Sequence, residues 1–365
     1  MKIPIIASDY LLEIAPNLGV SYSRTEKFAD ELLAKLLLNN EILGSFTGVP
    51  LDIPSALFVG TTIGGLDRSE NEYLLSKKTN EIIPQKFVRH EAGKMTEYLA
   101  KKYKFDKHYT ISTACSSGLH AIGLAKQAIE KGLCDFAVAI GTDALCELTQ
   151  KGFGSLMLLD ESGSAKPTRG SHPFDKNRAG IKLGEGAGGV VLVSPKICEN
   201  ADFFIAGSGS SCDAHHATAP HPTGDGAISA INQAIKSAGI KPSDIDWICS
   251  HGTGTLDNDV AEIKAYRAVF GGATTASENI PPFMSFKGEI GHTLAASGAI
   301  ETAMAIEAMR KGIIPASAGF SEIDEEIGIA PNTKITDCPS KYILKVSFGF
   351  GGNNAALVVE NARNK

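Results

Sequence analysis

TACSSGLHAIGLAKQAIEKG at residues 113–132 and TLAASGAIETAMAIEAMRKG at residues 293–312 are two versions of one pattern. Ser117-Gly118 recurs as Ser297-Gly298, Ala125 as Ala305, Ala128 as Ala308 and Gly132 as Gly312, each 180 residues on. Each copy starts on small residues, continues as a helix and closes on Lys-Gly and an apolar residue. Each half also ends in glycines before a valine-rich strand, GEGAGGVVLV and then GFGGNNAALVV. A period this long marks a duplicated domain, not a solenoid. Strand and helix patterns alternate in both copies, which predicts an α/β fold with helices on mostly parallel sheets. The halves run over residues 1–200 and 201–365. No low-complexity linker separates them, so one fused body is expected. Duplication sets equivalent helix starts across a pseudo-twofold axis. A cleft between the halves then takes a nucleophile from one and a base or acid from the other.

Cys115 sits between the β-prone run HYTIST and the helix predicted over 116–131, where Leu119, Ile122, Ala125 and Ile129 share a face. It lies at or just before the first helical turn. Unpaired N–H groups and the positive end of the helix dipole favour thiolate there, which makes the cysteine a candidate nucleophile. The commoner fate of a cysteine is burial as a small hydrophobe. The stretches further along the chain decide between the two.

Of 365 residues, 43% are hydrophobic and 21% charged, as in a water-soluble globular protein. The net charge of −6 excludes a general nucleic-acid binder. The seven cysteines are odd in number and form no C-x-x-C, which points to a reducing compartment rather than a disulfide framework or zinc ribbon. MKIPIIASDYLLEIAPNL is a poor signal peptide and a poor membrane span, so a cytoplasmic protein is expected.

In the first half, FADELLAKLLL and EAGKMTEYLAKKYKF read as helices, SALFVGTTIGG as a buried strand ending in a glycine turn, and CDFAVAIGTDAL as a strand and turn. Residues 152–183 read as loop-rich. GEGAGG at 184–189 matches G-x-G-x-x-G, but it leads into the strand VVLV rather than a helix, so no dinucleotide site is expected.

In the second half, WICSHGTGTLDND carries His251 at a strand end, where ligands bind in α/β sheets. Thr253 and Thr255 offer hydroxyls to an extended polar ligand, and Asn258 and Asp259 can orient neighbours. SFKGEIGHTLAASGAIE carries Lys287 and His292. A buried Lys287 needs a counter-charge, and Glu301 is the candidate. His292 lies just before the repeated helix, placed to face Cys115 across the axis. The glycines of Phe348-Gly349-Phe350-Gly351-Gly352 let backbone N–H groups converge, as an oxyanion hole requires. His215, His216 and His221 lie in a Pro-rich loop that reads as ordered structure rather than a metal site. No metal is expected anywhere.

One Cys and two His in these contexts resemble the β-ketoacyl-ACP synthases of the thiolase-like superfamily. The motifs are TACSSG at 113–118, PFDKNRAGIKLGEGAG at 173–188, HGTGT-x-x-ND at 251–259, K-x-x-x-x-GH at 287–292 with AASG following, and GFGG-x-N at 349–354. The resemblance implies two duplicated α/β halves in a layered α-β-α-β-α body. It implies the elongating Cys-His-His type, since the initiating type carries Asn in place of His292. Carried over, Cys115 would take the acyl chain, with its own N–H and that of Phe350 as the oxyanion hole. His251 and His292 would assist malonyl-ACP decarboxylation and stabilise the enolate. Lys287 would organise the histidines and pair with Glu301, and Asp259 would support them. Thr253 and Thr255 would hold the pantetheine arm, and Phe348 and Phe350 would gate the acyl pocket. The product would be 3-oxoacyl-ACP, in a fatty-acid, polyketide or polyene-type pathway. No bound cofactor is implied beyond the phosphopantetheine of the acyl carrier protein. A homodimer or a heterodimer with a related subunit is expected, and no membrane insertion.

The resemblance has departures. The family's first strand and the helices after it are hard to find in MKIPIIASDYLLEIAPNLGVSYS, which implies a changed pocket length and carrier docking. Phe286, Gly288 and Glu289 also depart from the usual residues. Rival readings are a non-condensing partner resembling a chain-length factor, a malonyl-ACP decarboxylase, and a thiolase. Chain-length factors typically lack the cysteine. A thiolase would show a second cysteine in a C-x-G context, but Cys338 is followed by Pro339-Ser340.

Overall fold

The repeated pattern folds as two helices that begin at Ser117 and Ser297, 180 residues apart. The computed structural model describes residues 1–13, 23–38, 53–160, 171–271 and 279–364. The first half supplies strands β1 (Ile3–Glu13), β2 (Ser55–Gly60), β3 (Lys107–Ile111), β4 (Phe136–Asp143) and β5 (Glu185–Val193). Its helices are α1 (Arg24–Leu38), α2 (Leu66–Thr79), α3 (Ala92–Tyr103), α4 (Ser117–Glu130) and α5 (Glu147–Ser155). The second half supplies β6 (Phe203–Cys212), β7 (Trp247–Cys249), β8 (Phe283–Met284), the small pair β9 (Ile313–Ile314) and β10 (Thr336–Asp337), β11 (Tyr342–Gly349) and β12 (Asn353–Asn361). Its helices are α6 (Asp225–Ala238), α7 (Leu256–Phe270), α8 (Lys287–Ile290) and α9 (Ser297–Lys311).

The main sheet runs β3-β2-β4-β5-β1-β6-β12-β11-β7-β8. Read outward from the middle, each half repeats one order. β1, β5, β4, β2, β3 on one side match β6, β12, β11, β7, β8 on the other. The halves join where Ile3–Ile5 pairs antiparallel with Phe203–Ile205. α4 and α9 pack on each other and on strands of both halves, forming the middle layer. α1 and α3 cover the outer face of the first half-sheet, α6 and α7 that of the second. The result is the expected α-β-α-β-α layering. β4 and β5 are buried at every residue, because helices cover both faces.

The crossing of α4 and α9 explains the repeated Ser-Gly. A Cβ on Gly118 would come 2.7 Å from the Ala295 carbonyl, and one on Gly298 would come 2.7 Å from the Leu119 nitrogen. Each glycine admits the backbone of the other helix's start.

Three expectations change. The sheet is mixed, not mostly parallel. Pairs joined through helices (β2 with β3 and β4, β7 with β8 and β11) are parallel, while β4–β5, β5–β1, β6–β12 and β11–β12 are antiparallel. A tight turn such as 350–352 can only reverse the chain. The first strand, hard to find in the sequence, is β1, and it pairs with β5 along Ile5–Glu13. The remainder of that stretch, residues 14–22, lies outside the described residues, as do 161–170 of the loop-rich 152–183. Finally, GEGAGG does not precede its strand. β5 begins at Glu185, and Gly188 meets α9 closely: a Cβ on it would lie 2.4 Å from the Ile300 Cα.

Candidate active site

Cys115 stands in the turn between β3 and α4. The turn is held by its own hydroxyls. The Thr113 N–H donates to Ser117 Oγ (2.8 Å), Ser116 Oγ donates to the Thr113 carbonyl (2.7 Å) and Ser117 Oγ to the Ala114 carbonyl (2.6 Å). Ala114 adopts φ +51°, a left-handed conformation uncommon for a residue with a Cβ. Its counterpart 180 residues on, Leu294, adopts φ +53°. Ser347 Oγ on β11 donates to the Cys115 carbonyl (3.0 Å), which ties the turn to the second half. The backbone N–H groups of Cys115 and Phe350 both face the sulfur. Burial nevertheless pushes the thiol up to about 12, outweighing the opposing pull of Lys287. Desolvation thus works against the thiolate that the helix start and the N–H groups favour.

His251 follows β7, and His292 precedes α9. Their rings meet edge to face with centroids 5.4 Å apart, and Phe348 lies edge to face on His251 at 5.7 Å. Both rings are buried, and burial, with Lys287 and Lys345 nearby, holds both well below the ordinary histidine range. Their partners assign the tautomers. Lys287 Nζ lies 3.4 Å from His251 Nδ1, and the Leu294 N–H donates to His292 Nδ1 (3.1 Å). Both Nδ1 atoms therefore accept, and both protons sit on Nε2.

Lys287 is fully buried, pairs with Glu301 at 2.6 Å and donates to the His251 carbonyl at 2.7 Å. Burial, and the neighbouring Lys345, lower its pKa. Asp259 acts on backbone: it accepts from the N–H groups of Phe174 (2.7 Å), Thr253 (3.1 Å) and Gly254 (3.2 Å). Thr253 and Thr255 stand with their hydroxyl oxygens 2.9 Å apart.

Four contributors were missed in the sequence. Glu262 accepts from the N–H groups of His251 (2.7 Å) and Gly252 (2.8 Å) and from the Tyr266 hydroxyl (2.6 Å). The signal was there, since Asp259, Glu262 and Tyr266 fall at helical spacing in α7. Asp143 accepts from Thr61, Thr62 and Ile63 and, across the halves, from the Ala295 N–H (2.9 Å). Phe153 stacks on Phe350 with centroids 5.7 Å apart. Lys345 lies fully buried on β11 and pairs with Glu301.

Cys115, His251 and His292 line one cavity of about 350 Å³, together with Thr253, Thr255, Phe348 and Phe350. Phe153, Leu156, Met157 and Leu158 form an apolar side of it. His221 reaches its rim, while His216 accepts from the N–H groups of Thr218 and Ala219 within its own loop. Among the described residues, no group of three or more His, Cys, Asp or Glu is arranged to hold a metal ion.

A thiol facing two neutral imidazoles, with two N–H groups converging on the sulfur, is the equipment of acyl transfer through a thioester. Comparison with known proteins agrees. The N-terminal domain of the β-ketoacyl synthases matches residues 31–196 and their C-terminal domain residues 203–321. A putative mitochondrial 3-oxoacyl-[acyl-carrier-protein] synthase of Schizosaccharomyces pombe is 34% identical over 314 residues, 82% of this chain and 72% of its own. A 3-oxoacyl-[acyl-carrier-protein] synthase 2 of Rhizobium meliloti is 33% identical over 320 residues, 84% of this chain and 74% of its own. The chain belongs to the β-ketoacyl synthase family. A solved ketosynthase complex with its chain length factor from Xenorhabdus doucetiae superposes with TM-score 0.77 at 27% identity, covering 99% of this chain and 98% of the other. A type II polyketide ketosynthase assembly with its acyl-carrier protein, at TM-score 0.84 and 22% identity over 99% of both chains, shares the fold. Among the described residues no helix is long and apolar enough to cross a membrane.

Proposed function

We propose that this chain condenses an acyl group held on Cys115 with a malonyl group on an acyl carrier protein. The products are 3-oxoacyl-ACP and CO₂, in a fatty-acid or polyketide-type pathway. The observation that carries the reading is the meeting of Cys115, His251 and His292 in one cavity, both imidazoles bearing their proton on Nε2. In transacylation Cys115 Sγ attacks the thioester carbon of the incoming acyl-pantetheine. The carbonyl oxygen takes up charge beside the N–H groups of Cys115 and Phe350. The proton of the thiol ends on the departing pantetheine sulfur. In condensation the malonyl carboxylate leaves as CO₂ and its bonding pair becomes an enolate. Two Nε2–H groups offer that enolate oxygen hydrogen bonds without adding a full charge. The enolate carbon then attacks the Cys115 thioester, and the sulfur leaves and regains a proton.

Lys287 and Glu301 hold His251, and Asp259 shapes the loop whose Thr253 and Thr255 bind the pantetheine arm. Phe348 and Phe350, with Phe153, gate the acyl pocket. His292, where the initiating type carries Asn, favours an acyl-ACP primer. Phosphopantetheine arrives on the carrier, and no further cofactor is assigned. Residues 1–200 and 201–365 act as fused halves, each supplying part of the site. A homodimer, or a heterodimer with a related subunit, in the cytoplasm fits the family and the seven free cysteines.

The test is Cys115→Ala. Condensation of acyl-ACP with malonyl-ACP falls by at least about 10³-fold, and mass spectrometry finds no acyl group on the protein. Intact condensation in this variant overturns the proposal. Decarboxylation of malonyl-ACP by the unaltered protein without chain extension replaces it with the decarboxylase reading.

A further inference from the structure

β11 crosses the second half-sheet, and its fourth residue is Lys345, fully buried between Leu344 and Val346. A buried ammonium requires a counter-charge and acceptors for its protons. Lys345 Nζ finds them in the Glu301 carboxylate and in the carbonyls of Val346 (2.7 Å), Ser250 (3.2 Å) and Cys249 (3.5 Å). The last two are the residues immediately before His251. The next carbonyl, that of His251 itself, is held by Lys287 Nζ, and Lys287 binds the other oxygen of Glu301. Three successive carbonyls of the strand end are thus held by two ammonium groups that share one carboxylate.

Resting on the reading of Cys115, His251 and His292 as the reacting groups, we propose that Lys345 is a positioning residue of the condensation. Its ammonium fixes the strand end that delivers His251 and places a second positive charge behind the histidine pair. The charge opposes protonation of either imidazole, which would put a donor on Nδ1 against the N–H of Leu294 or the ammonium of Lys287. Burial and Lys287 act on both rings in the same direction as Lys345. The other titratable groups around the pair are Asp259, Glu262 and Tyr266 from α7, Glu301 from α9, Cys249 from β7, Asp143 from β4 and Cys115. Substituting Lys345 leaves all of them in the chain.

The experiment compares K345M and K345R with the unaltered protein in condensation of acyl-ACP with malonyl-ACP across pH 4–8, which brackets the acid limb of histidines held well below their ordinary range. Neutral histidines are the working form, so activity is lost as pH falls through their folded pKa. Losing a nearby cation raises that pKa. K345M is expected to lower kcat about 10-fold with KM little changed, and to move the acid limb of kcat toward neutrality by about one pH unit. K345R keeps the limb where the unaltered protein has it. An unmoved limb in K345M overturns the proposal. Should K345M not fold, K345Q, which retains polar atoms for the two carbonyls, is read the same way. If neither neutral variant folds while K345R does, Lys345 is a structural strut and the proposal falls. Cys115→Ala run in parallel separates the failures. Activity in that variant sinks the functional reading, whereas an inactive Cys115→Ala beside an unmoved K345M limb sinks only the role of Lys345.

Discussion

At residue 114 the chain turns through φ +51° into α4, and at residue 294 it turns through φ +53° toward α9. The next residue is Cys115 in one copy and Ala295 in the other. The N–H of Cys115 faces its own sulfur. The N–H of Ala295 donates to Asp143 in the opposite half, and its methyl is buried. Duplication therefore carries one backbone geometry twice. One copy presents a reacting atom, and the other uses the same N–H to fasten the two halves together. His292, three residues before Ala295, takes over as that copy's chemical contribution. Equivalent position is thus a statement about backbone, and chemistry follows from where each N–H and side chain is spent.

The strongest way to break this comparison is to move the nucleophile. Ala295→Cys in a Cys115→Ala background leaves condensation down by at least about 10³-fold, because residue 295 lies outside the cavity lining and its N–H is already engaged. Condensation assays would check it, and recovered activity would show the two starts to be interchangeable. The helix crossing sharpens the comparison next. Gly118→Ala and Gly298→Ala each bring a Cβ to 2.7 Å from backbone of the facing helix. Each is expected to destabilise by about 1–3 kcal/mol, despite the ~1 kcal/mol that Ala gains in helix propensity. Denaturant unfolding of both variants measures this, and a large effect at only one would show the crossing to be asymmetric. The smallest effect is in pH dependence. His251 and His292 stay neutral when folded and take protons when unfolded below about pH 6.5, so stability falls as pH falls through that value. The slope approaches about 1.4 kcal/mol per pH unit for each histidine. His292→Asn should reduce the stability difference between pH 7.5 and 5.5 by about 1 kcal/mol, read by urea unfolding. An unchanged difference would show that His292 protonates in the folded state.

The parts of this structure that were legible in the sequence are those with local cause. The helix after Cys115 follows from its own periodicity. The paired helix starts follow from equal spacing in the chain, and the Lys287–Glu301 pair from the need of a buried cation for an anion. What was not legible depends on distant packing. The protonation of Cys115 is set by burial among strands that arrive more than 200 residues later, among them β11 through Ser347. The close approach that Gly188 of β5 allows was not legible because α9, which meets it, is more than 100 residues away. β1 was hard to see because its end at Ile3–Ile5 meets the other half while its length pairs with β5. Nothing in YILKVSF marks Lys345 as buried. Two covered faces make its position interior.

The seam between the half-sheets has a consequence for how a nascent chain matures. β1 leaves the ribosome well before either of its partners, which begin at residues 185 and 203. At about 5–20 residues per second, roughly 10–40 s pass before those partners are synthesised. For that interval β1 has neither neighbour, and a rearranged chain carrying β1 after β12 would spare it the wait.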